Sequence, residues 1–217
     1  MNGIGKFIGS TVCAGVLVFI AGQVSAANLV LNPGFETGDT TSWLVLGSGV
    51  GASVAVQSPD NGPSAPGSFN AFMTNTIPAN TLELQQSTAL GDAVPGLVNY
   101  SLDVKGVTSA VGGVLFIHIW DINATGGVID AGPGLLGPYF PSTTSWTTIS
   151  GSFTAPATVN HLEVEIDCST GAGAGSAEAV RVDNVSLSQV QVPEPTTVTL
   201  VGLGLLGTIA LGRKRKS

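Results

Sequence analysis

The chain has 217 residues, only 10% of them charged, and a formal net charge of −7. Its basic residues gather at the two ends: from Glu36 to Glu194, Lys105 and Arg181 stand alone against all fourteen acidic residues, a local net charge of −12. So acidic a stretch repels phosphate backbones and anionic headgroups, which excludes a nucleic-acid partner.

At the N-terminus, Lys6 precedes an apolar run from Phe7 to Gly22, and Val24, Ser25 and Ala26 place small residues where a processing enzyme cuts. This predicts a secretory signal peptide over residues 1–26. Cys13 lies inside that run with no lipobox around it, so lipoprotein anchoring is not expected. Its removal leaves Cys168 as the lone thiol, which rules out an internal disulfide even in an oxidising compartment. Residues 27–190 remain, about 165 in all, enough for one domain with its own core.

This portion is rich in Val, Thr, Ser and Gly, with short alternating runs between Gly, Pro and Asn clusters. The pattern predicts an all-β domain. In chain order, short strands are expected at Leu29–Leu31, Trp43–Leu46, Ser53–Gln57, Asn70–Thr74 and Leu82–Gln86. Longer ones are expected at Val98–Lys105, Gly113–Asp121, Thr147–Phe153, Leu162–Cys168 and Val180–Val190. Ten strands without an internal repeat point to a sandwich or jelly roll.

Four stretches occur in order: NLVLNPGFETGDTTSW from Asn28, LELQQSTALGDAVPGLVNYSLDVKG from Leu82, WTTISGSFTAPATVNHLEVEI from Trp146 and VRVDNVSL from Val180. Together they resemble the galactose-binding-like jelly roll of the CBM4/9/22 carbohydrate-binding modules. The resemblance implies a jelly-roll β-sandwich. It also implies a structural calcium ion, with Glu36 of the opening Asn-Pro-Gly-Phe-Glu and Asp183 of the closing strand at the ligand positions. Calcium takes several hard oxygens at once, so two carboxylates from opposite ends of the domain would staple it shut. The alternative is that Glu36 caps a turn and Asp183 bonds nearby backbone. A second acidic stretch, DINATGG from Asp121, imitates the front of an EF-hand loop. Its twelfth position is Gly132 rather than a bidentate Glu, so it reads as a hairpin connection.

In VLFIHIWD, Leu115, Ile117 and Ile119 fall on one face of a strand, and Phe116, His118 and Trp120 on the other. The aliphatic face belongs in the core. The aromatic and imidazole face suits a sugar, whose axial C–H bonds pack on rings while polar neighbours bond its hydroxyls. The competing use for these rings is to fill the core or underlie a loop. Trp43 and Trp146, beside strand starts, are expected to be structural.

In NHLEVEIDC, His161, Glu163, Glu165 and Asp167 alternate with Leu162, Val164, Ile166 and Cys168. Same-face carboxylates two positions apart stand roughly 6.5–7 Å apart, near the spacing of inverting glycosidases. Parallel side chains, however, cannot flank a bond from opposite sides. An acidic solvent face is therefore expected, with Cys168 inert in the core. No GxSxG elbow, HExxH pair or Ser/His/Asp grouping is present. The chain is expected not to be an enzyme.

Near the C-terminus, Gly202, Gly204 and Gly207 spell GxGxxG, but only ten residues follow and none is acidic. A dinucleotide turn needs a further helix and strand and an acidic residue about 20 positions on, so the motif has no fold to sit in. Residues 196–212 instead form an uncharged span at the short end of transmembrane length, where glycines are tolerated. The tail at 213–217, with Arg213, Lys214, Arg215 and Lys216, acts as a cytoplasmic stop. Upstream stands Val192-Pro193-Glu194-Pro195, whose prolines forbid a continuous helix into the domain. This tripartite arrangement over 191–217 resembles the PEP-CTERM sorting signal of Gram-negative bacteria. The resemblance implies an exosortase as processing partner, an inner-membrane-anchored precursor with its domain in the periplasm, and a mature form at the cell surface or in the extracellular matrix. Bacteria with such signals make exopolysaccharide and biofilm matrix. The expected function is therefore a non-catalytic surface or matrix protein that contacts extracellular polysaccharide; the alternative is a structural matrix protein that self-associates or contacts other proteins.

Overall fold

The computed structural model describes residues 26–107 and 111–189. The expected signal peptide, sorting motif, membrane span and basic tail lie outside the described residues, apart from Ala26. Among the described residues, no helix is long and apolar enough to cross a membrane.

The described residues form ten strands in chain order: β1 (Leu44–Leu46), β2 (Ala52–Gln57), β3 (Asn70–Asn75), β4 (Thr81–Ser87), β5 (Gly96–Gly106), β6 (Gly113–Ile122), β7 (Val128–Tyr139), β8 (Thr147–Ala155), β9 (His161–Thr170) and β10 (Glu178–Gln189). They pair antiparallel in two five-stranded sheets, ordered β1-β4-β9-β6-β7 and β2-β3-β10-β5-β8. The expected all-β sandwich is present. Its sheets meet through period-two alternation: Leu82 and Leu84 on β4, Leu115, Ile117 and Ile119 on β6, and Leu162, Val164, Ile166 and Cys168 on β9 face inward. Met73, Val98, Val104, Val180, Val182 and Leu187 meet them from the other sheet. Each fully buried aliphatic side chain is worth about 1.5–3 kcal/mol of transfer free energy. Burial also pushes the Cys168 thiol well above its ordinary range, as expected of an inert core cysteine.

Two expectations need correction. Leu29–Leu31 is not a strand: Asn28 makes an isolated bridge to Ser188, and Leu29 N–H donates to the Leu187 carbonyl at 2.8 Å. The backbone of Leu31 then turns to a side chain, donating to Gln86 Oε1 (2.6 Å) and accepting from Gln86 Nε2 (3.0 Å). Conversely, β7 is a strand the sequence hides. Its run VIDAGPGLLGPY holds two prolines, which a sheet admits because β7 is an edge, paired to β6 alone through two register irregularities. The DINATGG stretch closes the β6–β7 hairpin as expected, with Asn123 Oδ1 accepting the N–H groups of Thr125 and Gly127.

The loop between β2 and β3 folds back over the outer face of the second sheet. Asp60 fastens it, accepting Lys105 Nζ at 2.9 Å and Trp146 Nε1 at 3.0 Å, with Arg181 Nε at 3.4 Å. The Lys105 contact holds the Asp60 carboxyl below the usual carboxylate range. Both basic residues of the described domain are thus committed to one acid, and Trp146 is structural. Trp43 is structural too, buried and stacked on Phe35 at 5.5 Å between centroids.

Candidate functional site

The outer face of the β1-β4-β9-β6-β7 sheet is built in rows by strand register. Gln85, Glu165 and His118 lie abreast on β4, β9 and β6. On one side of that row stand Glu83, Asp167 and Phe116; on the other, Ser87, Glu163 and Trp120. The three expected ligand-binding side chains, Phe116, His118 and Trp120, therefore do share one outward face. All three are half-buried. His118 packs edge-on against Trp120, with 5.1 Å between ring centroids.

Polar groups interlock across the face. Gln85 Nε2 donates to Glu165 Oε1 at 3.1 Å, and Ser87 Oγ donates to Glu163. His118 Nδ1 stands 3.0 Å from Glu165 Oε2, and its Nε2 stands 3.7 Å from Asp167 Oδ2. The 3.0 Å approach is close but not aligned as a hydrogen bond, and Nδ1 remains without a hydrogen-bond partner. The face is less open than an acidic solvent face would be. Asp167 and His161 are both buried, Asp167 between Glu83 of β4 and Phe116 of β6. Burial, reinforced by Glu165, pushes the Asp167 carboxyl up to about 6. Burial and then Glu165, Asp167 and Glu163 do the same to Glu83.

The expected calcium ligands lie elsewhere, where the N-terminal segment meets the last strand. A bulge in β10 between Asp183 and Ser186 carries Asn184 at φ 52° and lets Val185 N–H donate to the Pro33 carbonyl at 2.9 Å. Gly34 lies against the Asp183 carboxylate and the stem of Glu36: a Cβ there would stand 3.3 Å from Asp183 Oδ1 and 3.6 Å from Glu36 Cγ. Both acids also bind backbone. Asp183 accepts the N–H groups of Gly62 and Asn184 at 2.7 Å each, and Glu36 Oε1 accepts those of Ser68 and Phe69. These backbone contacts are those of the alternative; as hard oxygen donors, the same two carboxylates are also of the type that calcium takes.

Sequence reasoning passed over Asp103. It sits directly opposite Asp183 in the β5–β10 register and accepts from Ser64 N and Oγ, Thr148 Oγ1 and Asn184 Nδ2 at 2.6–2.9 Å. Burial alone would raise its carboxyl, but these donors outweigh burial and hold it below the ordinary range. The available signal was an acid inside the otherwise apolar alternation of LDVKG, although nothing local pairs it with Asp183.

Comparison with known proteins places both parts of the chain. Residues 191–216 match the family described as the PEP-CTERM protein-sorting motif. No curated protein matches the sequence. Among solved structures, the enzymatically active domain of bacteriophage CBA120 tailspike protein 4 aligns with a TM-score of 0.59 at 12% identity. That alignment covers 74% of this chain but only 21% of the tailspike's length. The CBM22-1 xylan-binding domain from Paenibacillus barcinonensis aligns at 0.53 with 18% identity, over 78% of this chain and 98% of that one. A family 16 carbohydrate-binding module aligns at 0.50 with 16% identity, over 75% and 100%. At these identities the likeness is one of fold. The sorting motif implies an exported protein that an exosortase processes. The chain thus carries a PEP-CTERM sorting motif at residues 191–216, behind a β-sandwich with the jelly-roll shape of carbohydrate-binding modules.

Proposed function

We propose that this protein is a non-catalytic component of the bacterial surface or extracellular matrix that contacts extracellular polysaccharide through the outer face of the β1-β4-β9-β6-β7 sheet. The single observation that carries this reading is the row of Phe116, His118 and Trp120, turned outward on β6 beside Gln85, Glu163 and Glu165. Rings supply a surface for sugar C–H groups, and the amide and carboxylates supply partners for hydroxyls. The precursor is held in the inner membrane by 196–212 until an exosortase acts near Val192–Pro195, and the domain then takes its place in a polysaccharide-rich matrix. Glu36 and Asp183 hold a calcium ion that stabilises the domain and takes no part in a reaction.

Retention of the protein on a panel of immobilised bacterial and plant polysaccharides tests the reading. Trp120→Ala should abolish retention, whereas Phe72→Ala, on the outer face of the opposite sheet beneath Arg181, should leave it intact. Equal retention of both variants, or none by the unaltered protein, defeats the proposal. A second reading has its own observation: edge strand β1 exposes Leu44 (53%) and Leu46 (41%) on the same sheet face, an arrangement open to edge pairing between copies. Concentration-dependent sedimentation without glycan retention would favour self-association.

A further inference from the structure

We propose that His118, Glu165 and Asp167 form a binding site for a divalent transition-metal ion of the zinc class, separate from the Glu36–Asp183 calcium position. The site rests on neighbouring strands rather than on loops. His118 of β6 faces Glu165 of β9 directly, and Asp167 lies one same-face position along, opposite Phe116. One ring nitrogen and one oxygen from each carboxylate lie within 4.8 Å of one another. Ligands about 2.0–2.2 Å from a tetrahedral zinc ion stand roughly 3.3–3.5 Å apart, so side-chain rotations alone close the set.

Three further observations point to an ion rather than to a self-contained network. Asp167 is 7% exposed and its Oδ1 has no hydrogen-bond partner, so a buried carboxylate oxygen lacks any donor among the described residues. His118 Nδ1 is likewise buried and unpartnered, despite a carboxylate oxygen 3.0 Å away. Groups this deeply placed ordinarily find partners. Charge adds the third. Glu83, Glu163, Glu165 and Asp167 crowd one face, and the domain's two fixed cations, Lys105 and Arg181, are bound to Asp60 on the other sheet. A dication is the missing counter-charge.

The donor set selects the class of ion. Calcium and magnesium prefer all-oxygen shells, whereas an imidazole with two carboxylates suits zinc and its neighbours. Three protein ligands leave one position of a tetrahedral ion open. The site does not depend on glycan binding, because the ion alone is the ligand.

The test uses the untagged full chain in detergent, stripped with EDTA and returned to saturating calcium, then titrated calorimetrically with zinc chloride. One equivalent should bind, and His118→Gln and Asp167→Asn should each weaken it by about tenfold or more. Glu36→Gln should leave zinc binding unchanged. Because the chain has two histidines, imidazole proton resonances of the unaltered protein give a second arm that needs no substitution: zinc should shift the His118 signals and spare those of His161. Absence of zinc binding, binding unaffected by both substitutions, or perturbation of His161 instead of His118 overturns the proposal. None of these outcomes bears on polysaccharide retention, which is measured without zinc.

Discussion

Asp103 and Asp183 face each other across β5 and β10, two buried carboxylates side by side, and the loop that runs over them answers both with backbone N–H groups, from Ser64 and Gly62. Gly62 has to be glycine: a Cβ there would stand 2.6 Å from Asp103 Cβ and from its Oδ2. The β2–β3 loop is thus ordered by acids of the sheet beneath it, and those acids are tolerable there because the loop supplies donors.

Asp103→Ala should destabilise the domain by about 3 kcal/mol, since it strands donors from Ser64, Thr148 and Asn184 in a covered site. Thr148→Val removes one of these donors and should cost about 1 kcal/mol. Chemical denaturation of the two variants checks the ranking; equal losses would refute the account of Asp103 as the shared acceptor.

The tryptophans should separate by role. Trp43→Ala removes a buried ring from its stack with Phe35 and should cost about 3–5 kcal/mol. Trp120→Ala, on the outer face, should cost about 1 kcal/mol or less. Melting temperatures of the two variants decide it.

Glu178 predicts a pH dependence. It is buried at the start of β10, its Oε2 has no hydrogen-bond partner, and burial pushes the carboxyl from its ordinary 4.5 up to about 7. Between those values the folded chain holds a proton that the unfolded chain releases, so folding is favoured at the acid side. Stability should therefore fall as pH rises from about 4.5 through 7, by on the order of 3 kcal/mol for this group. Asp121, Glu83, Asp167 and Asp183, each raised by burial to about 6, add slopes of the same sign that end near pH 6, which leaves the span from 6 to 7 to Glu178. Denaturation midpoints across this range should flatten markedly in Glu178→Gln; an unchanged slope would contradict the assignment.

Calcium should raise the melting temperature of the chelated protein, by an amount equivalent to about 2.7 kcal/mol at one hundred times Kd. Glu36→Gln should remove most of the increase. Identical melting curves with and without calcium would eliminate the ion.

Composition and periodicity were sufficient for the broad outline. Alternation placed nine of the ten strands and assigned inner and outer faces correctly on β6 and β9, because side-chain direction along a strand is set by the pleat and not by its neighbours. The sorting motif was legible for a similar reason: an address is read from a local, linear pattern. What the strands do to one another was not legible. β7 is a strand because it hydrogen-bonds to β6 at an edge where prolines are tolerated, while the pairing begun by Leu29 stops at Leu31, whose N–H and carbonyl are both taken by Gln86. The opposition of Asp103 to Asp183, and of His118 to Glu165, is a matter of register. Register is decided by packing both sheets at once, so residues dozens of positions apart acquire partners that no local spacing encodes.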